Sequence, residues 1–124
     1  MSRTRLALLV VAPILAVYWR VLYIATHIHS GPKLPGQSDK LIHFAAYMVL
    51  GILAAAAVRL LVRGGWWKYA VVWLVLTLYG AADELTQTPP RQPDWKDWAM
   101  DTAGAAFGVA ALANFRRKKS LPAE

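Results

Sequence analysis

From Leu41 to Val58 the chain runs eighteen residues, LIHFAAYMVLGILAAAAV, without a formal charge, and this run has company. LALLVVAPILAVYW (6–19) continues past Arg20 as VLYIAT, YAVVWLVLTLYGAA spans 69–82, and WAMDTAGAAFGVAALANF (98–115) carries one charge, Asp101. A membrane-crossing helix needs roughly 20 mostly apolar residues, and eighteen rising at ~1.5 Å each cover ~27 Å. Four such runs in 124 residues leave no sequence for a separate soluble core, and 57% hydrophobic residues exceed the usual globular range of roughly 45–50%. A soluble bundle needs a polar stripe on every helix, and residues 41–82 supply almost none. The expectation is an all-α, integral membrane four-helix bundle with short loops, one domain over 1–124. Helices are expected at 5–26, 39–62, 66–87 and 96–115, followed by a basic tail at 116–124.

The start, MSRTR followed by an apolar run, imitates a signal peptide. Tyr18, Trp19 and Arg20 stand where small cleavage-site residues belong, so the run reads as a retained first helix. Cysteine is absent, which removes disulfide and thiol chemistry.

The net charge of +7 is not a nucleic-acid footprint once the charges are placed on the helices. Arg3, Arg5, Arg59, Arg63, Lys68, Arg116, Arg117, Lys118 and Lys119 gather at one end, opposed only by Glu124. The other end sets Arg20, Lys33, Lys40, Arg91 and Lys96 against Asp39, Asp83, Glu84, Asp94, Asp97 and Asp101. By the positive-inside rule both termini and the 63–68 link are cytoplasmic, and the loops 27–38 and 88–96 face outward. The basic excess is then a topology signal and an anchor for anionic lipid.

Every unusual polar residue lies at the outward end. Asp39, His43 and Tyr47 recur at i, i+4, i+8 and share a helix face. Asp83 and Gln87 are four apart, with Glu84 beside them. Asp97, Asp101, Gly104 and Gly108 form one stripe at i, i+4, i+7, i+11, its lower half a GxxxG that permits close backbone approach. Arg20 sits about a turn below the exit of the first helix, with Tyr23 and His27 along the same side. Bland readings exist for several: Asp39 as a cap, His43 as a packing residue, Tyr47, Trp95 and Trp98 as interfacial belt residues, Asp94 and Lys96 as solvated loop charges, and Arg20 as a snorkelling cation. The carboxylates resist such readings. An ionised Asp inside a spanning helix costs ~2.5–3.5 kcal/mol at its centre and is tolerated where it is paired or lines a polar cavity. Asp83, Glu84 and Asp101 are therefore expected in an outward-facing polar pocket, with Arg20, Lys40, Arg91 and His43 as partners.

Two stretches also resemble a known family. DKLIHFAAYMVLG (39–51) is similar to the first motif of the VanZ-like membrane proteins, and DELTQTPPRQPDWKDWAMDTAGAAFG (83–108) to their second. The resemblance covers about half of the chain in matching order. It implies a small multi-pass protein of the bacterial cell envelope, named after a protein linked to resistance to the glycopeptide teicoplanin, and it implies no particular reaction. The positions it carries over are Asp39, Lys40, His43, Tyr47, Asp83, Glu84, Gln87, Arg91, Asp97, Gly104 and Gly108. Asp101 departs from the family, which often has Asn there.

Two functional readings follow. In the first, the pocket binds or shields the head group of an envelope lipid or peptidoglycan precursor through charge-assisted hydrogen bonds. In the second, His43, Glu84 and Asp101 form a membrane-embedded enzymatic site of acid–base or hard-metal type. No cofactor is expected, since one His and no H-E-x-x-H spacing make a weak metal signature, although the His43 and carboxylate cluster has donors for a divalent ion. Proton or solute transport is disfavoured, because Val49–Val58 and Ala103–Ala113 offer no polar steps inward.

Overall fold

Four long helices account for most of the chain in a computed structural model, which describes residues 1–27, 37–87 and 92–115. They are α1 (Arg3–His27), α2 (Gln37–Leu61), α3 (Trp67–Leu85) and α4 (Trp95–Phe115), and the described residues contain no strand. Each begins and ends within two residues of the expected boundaries. By length and composition α1 and α2 are apolar enough to cross a membrane. At 25 residues each is roughly 37 Å long, against a hydrocarbon core of ~30 Å. Residues 28–36 of the expected loop 27–38, residues 88–91 of the expected loop 88–96 and the expected tail at 116–124 lie outside the described residues.

Helix α2 is central, packed against the other three, with α4 its closest partner. What sets that closeness is a column of glycines. A Cβ on Gly51 would sit 2.7 Å from the carbonyl oxygen of Ala105. One on Gly104 would collide with the carbonyl of Phe44, and one on Gly108 with that of Met48. Backbone meets backbone along the whole seam, as the GxxxG spacing implies. Helix α3 is tied to α4 by two reciprocal indole bonds: Trp73 Nε1 donates to the Thr102 carbonyl (3.1 Å) and Trp98 Nε1 to the Thr77 carbonyl (3.0 Å). Helix α1 is held more lightly, through Tyr18 Oη donating to the Ala46 carbonyl (2.7 Å) and the edge contact of Trp19 with Tyr79. Tyr47, Leu50, Leu76 and Ala105 form the buried centre. Large apolar side chains cover the outside, Leu9, Val17 and Val21 on α1 and Leu74, Leu78 and Phe107 on α3 and α4 among them.

The two ends differ in charge. At the end where α2 and α4 finish, Arg59 donates to the Leu112 carbonyl (2.9 Å) and Lys68 to the Val62 carbonyl (2.9 Å). Cations thus meet the electronegative helix C-termini, where the dipole favours them. The opposite end is acidic. Because the α2–α4 seam holds that end together, Gly108→Ala should destabilise the protein by about 1–3 kcal/mol through overpacking. Gly65→Ala, whose new Cβ meets only Trp67 Cδ1 at 3.7 Å, should change stability by less than about 0.5 kcal/mol in the same thermal unfolding series.

Candidate functional site: an acidic cluster at one end of the bundle

The site grows from two helix N-termini laid side by side. Asp39 lies in the first turn of α2 and Asp97 in that of α4, where carboxylates complement the dipole. Asp94 caps α4: its Oδ1 accepts the Lys96 backbone N–H at 2.9 Å. Asp83 and Glu84 have no such excuse. They end α3, at the electronegative pole, and both are buried, at 3% and 4% exposure. They persist there through specific partners.

For Asp83 the partners come from α1. Thr26 Oγ1 donates to Asp83 Oδ1 at 3.0 Å, and His27 Nδ1 lies 3.3 Å from the same oxygen. His27 Nε2 is 2.9 Å from Thr86 Oγ1, so the end of α1 is stitched across the end of α3. For Glu84 the partners come from the approach to α4: Oε2 accepts the Asp94 backbone N–H at 3.1 Å, and Oε1 accepts Gln87 Nε2 at 3.2 Å.

Helix α2 supplies the basic side chains. Lys40 Nζ bridges Asp94, at 2.9 Å, and Asp97. One turn further in, His43 lies between two carboxylates, with Nδ1 2.8 Å from Asp101 Oδ1 and Nε2 3.7 Å from Asp97 Oδ2. A neutral imidazole carries one N–H, so it satisfies only one of these neighbours. A further turn inward, Tyr47 is buried beside Gly80 and Asp101.

The expected site residues therefore separate. Asp39, Lys40, His43, Tyr47, Asp83, Glu84, Gln87, Asp97 and Asp101 all lie at this end of the bundle, while Gly104 and Gly108 continue the Asp97–Asp101 stripe into the helix seam. Arg20 stands apart: it is exposed, makes no hydrogen bond or ion pair among the described residues, and lines a separate groove with Trp19, Tyr23 and Tyr79. Arg91 lies outside the described residues. Two participants were not foreseen. Asp94, expected as a solvated loop charge, is a half-buried junction of Lys40, Glu84 and the α4 cap; an Asp just ahead of a helical run is a cap signature, which was the available signal. Thr26 had none, being one hydroxyl in an apolar helix.

With that geometry in hand, comparison with family models matches residues 4–116 to the family described as VanZ/LLP1. The chain belongs to the VanZ/LLP1 family. No curated protein and no solved structure matches it. The VanZ/LLP1 match takes in all four helices, so the acidic cluster falls wholly within the family region.

A groove of about 420 Å³ opens beside the cluster, between the end of α3 and the start of α4. Ala81, Leu85, Pro93, Trp95 and Trp98 make its apolar wall, and Glu84 and Asp94 its polar rim. Lys40→Met, which keeps the stem and removes the ammonium from two carboxylates, should cost about 3 kcal/mol in thermal unfolding, the lower end for breaking a buried pair because the side chain is 25% exposed. Arg20→Ala should change stability by less than about 0.5 kcal/mol.

Proposed function

We propose that this VanZ/LLP1 protein is a multi-pass protein of the bacterial cytoplasmic membrane that holds the polar head of an envelope lipid or peptidoglycan precursor at its acidic end. Both termini and the basic end are cytoplasmic in this reading, and the acidic end faces outward. The exposed apolar side chains on all four helices support the bilayer setting, since a water-soluble bundle would bury them. The asymmetry of charge supports the orientation.

The observation that carries the reading is the groove beside Glu84. An amphipathic ligand needs an apolar wall for its chain and acceptors for the hydroxyl, amide or ammonium groups of its head. The groove joins Trp95, Trp98 and Leu85 to two carboxylates, Glu84 and Asp94. Tryptophan is also a residue that favours the membrane–water interface. A protein that holds a peptidoglycan precursor in this way would change the precursor's access to a glycopeptide, which fits a family named after a teicoplanin-resistance protein.

Two measurements test the proposal. The chain has no cysteine, so single cysteines introduced at exposed Gln92 and Gly65 report topology without background. An impermeant thiol reagent on intact cells should label position 92 and spare position 65; the reverse pattern overturns the orientation. Native mass spectrometry after mild purification should find an envelope lipid or lipid-linked precursor on the wild type and a several-fold lower occupancy on Trp95→Ala, whose side chain is 71% exposed and bears little on folding. Equal occupancy in both, or no bound lipid in either, contradicts the head-group reading.

A further inference from the structure

Among the described residues six buried side-chain oxygens lack a hydrogen-bond partner, and two of them lie deep in the cluster. Asp101 and Tyr47 each retain 1% of their exposure, yet Asp101 Oδ2 and Tyr47 Oη make no hydrogen bond. The two side chains are neighbours: a Cβ placed on Gly80 would lie 3.5 Å from the Asp101 Cβ and 3.5 Å from the Tyr47 ring. Orphaned polar atoms this deep are rare in folded proteins, and a bound ion or water is one way such groups are satisfied.

The donors around that spot are of mixed type. His43, Glu84 and Asp101 each offer one ligand atom, and the three atoms lie within 4.8 Å of one another. We propose that His43, Glu84 and Asp101 hold a divalent transition-metal ion of the zinc or manganese kind. One imidazole and two carboxylates suit such an ion better than magnesium or calcium, which prefer all-oxygen sites. Small side-chain rotations close the three atoms around a cation with metal–ligand distances of ~2.0–2.2 Å.

The surroundings are those of a metal site one layer out. A metal ion replaces the proton between His43 Nδ1 and Asp101, which leaves the imidazole its single N–H at Nε2. That nitrogen points to Asp97, 3.7 Å away, which Lys40 in turn holds. Closing that 3.7 Å separation to hydrogen-bond range would complete a carboxylate–histidine–metal chain of the kind that fixes ring orientation in metalloproteins. Glu84 is oriented likewise by the Asp94 N–H and Gln87, with lone pairs to spare on both oxygens. Asp39, His43 and Asp97 form a second set of donors, but the Lys40 ammonium already lies against Asp97 and repels a cation there. The Asp101 side has no such competitor among the described residues. The ion sits against the wall that Glu84 shares with the groove, although its binding does not depend on any lipid being there.

The test uses the full chain, purified, stripped with chelator and titrated with Mn²⁺ alone and Zn²⁺ alone. About one ion of either should bind per chain, and the bound ion should raise the melting temperature. Asp101→Asn and Glu84→Gln should each weaken binding by about tenfold or more. Bound Mn²⁺ should show nitrogen coupling from one imidazole in its pulsed electron paramagnetic resonance spectrum, absent in His43→Gln. If His43→Gln does not fold, the near-isosteric Asp101→Asn carries the test by its loss of metal-induced stabilisation. Failure of the wild type to bind either ion, with an ordered water satisfying Asp101 and Tyr47, overturns the proposal; so does nitrogen coupling that persists in His43→Gln. Trp95→Ala should keep the ion, so the lipid reading and the metal site fail separately.

Discussion

Lys40 and His43, one turn apart on α2, stand opposite the carboxylates at the head of α4, and the whole acidic end is organised by that opposition. Buried carboxylates surrounded by apolar helix are affordable only when their charge is answered at hydrogen-bond distance. Lys40 answers Asp94 and Asp97 together. His43 answers Asp101 through one ring nitrogen and turns the other toward Asp97. Removing either basic group would leave negative charges stacked at the same height on neighbouring helices.

The opposition requires α2 and α4 to approach closely and in one register, and the glycine seam supplies both. Gly104 and Gly108 admit the backbone of α2 at Phe44 and Met48, while Gly51 admits the backbone of α4 at Ala105. One or two turns up the same seam lie Asp101 and His43, so packing in the apolar half fixes the geometry of the charges above it. Helix α3 joins through its tryptophan bonds to α4 and delivers Glu84 to the groove; α1 closes the remaining side with Thr26 and His27. The acidic end is thus a product of all four helices, which is why no one of its motifs explains it.

Much of this was legible in the residues. Uncharged runs separated by Pro- and Gly-bearing links predict helices, because nothing but hydrogen-bonded helix satisfies so apolar a backbone. The stripe Asp97, Asp101, Gly104, Gly108 predicts a shared inner face from spacing alone. Partner choice was less accessible. Arg20 and Lys40 are both cations near helix ends, and the rotations of α1 and of α2 about their axes decide that Arg20 lies apart while Lys40 meets the carboxylates; tertiary packing sets those rotations, and periodicity does not encode them. Thr26 escaped for the same reason. Asp94 was hidden by its position in a loop, since a cap and a solvated acid look alike until the following turn is seen to bury one side.

The VanZ/LLP1 family region, the four-helix fold and the charge geometry meet at the acidic end, and the link between His43 and Asp101 is the part of that account most open to attack. A double-mutant cycle of His43→Gln and Asp101→Asn, followed by thermal unfolding with chelator present, measures it directly. The two side chains should be coupled by about 0.5–3 kcal/mol, the range found for residues that share a hydrogen-bonded charge network. Additive effects within about 0.5 kcal/mol would mean that the two groups do not meet, and the acidic end would not be assembled as described.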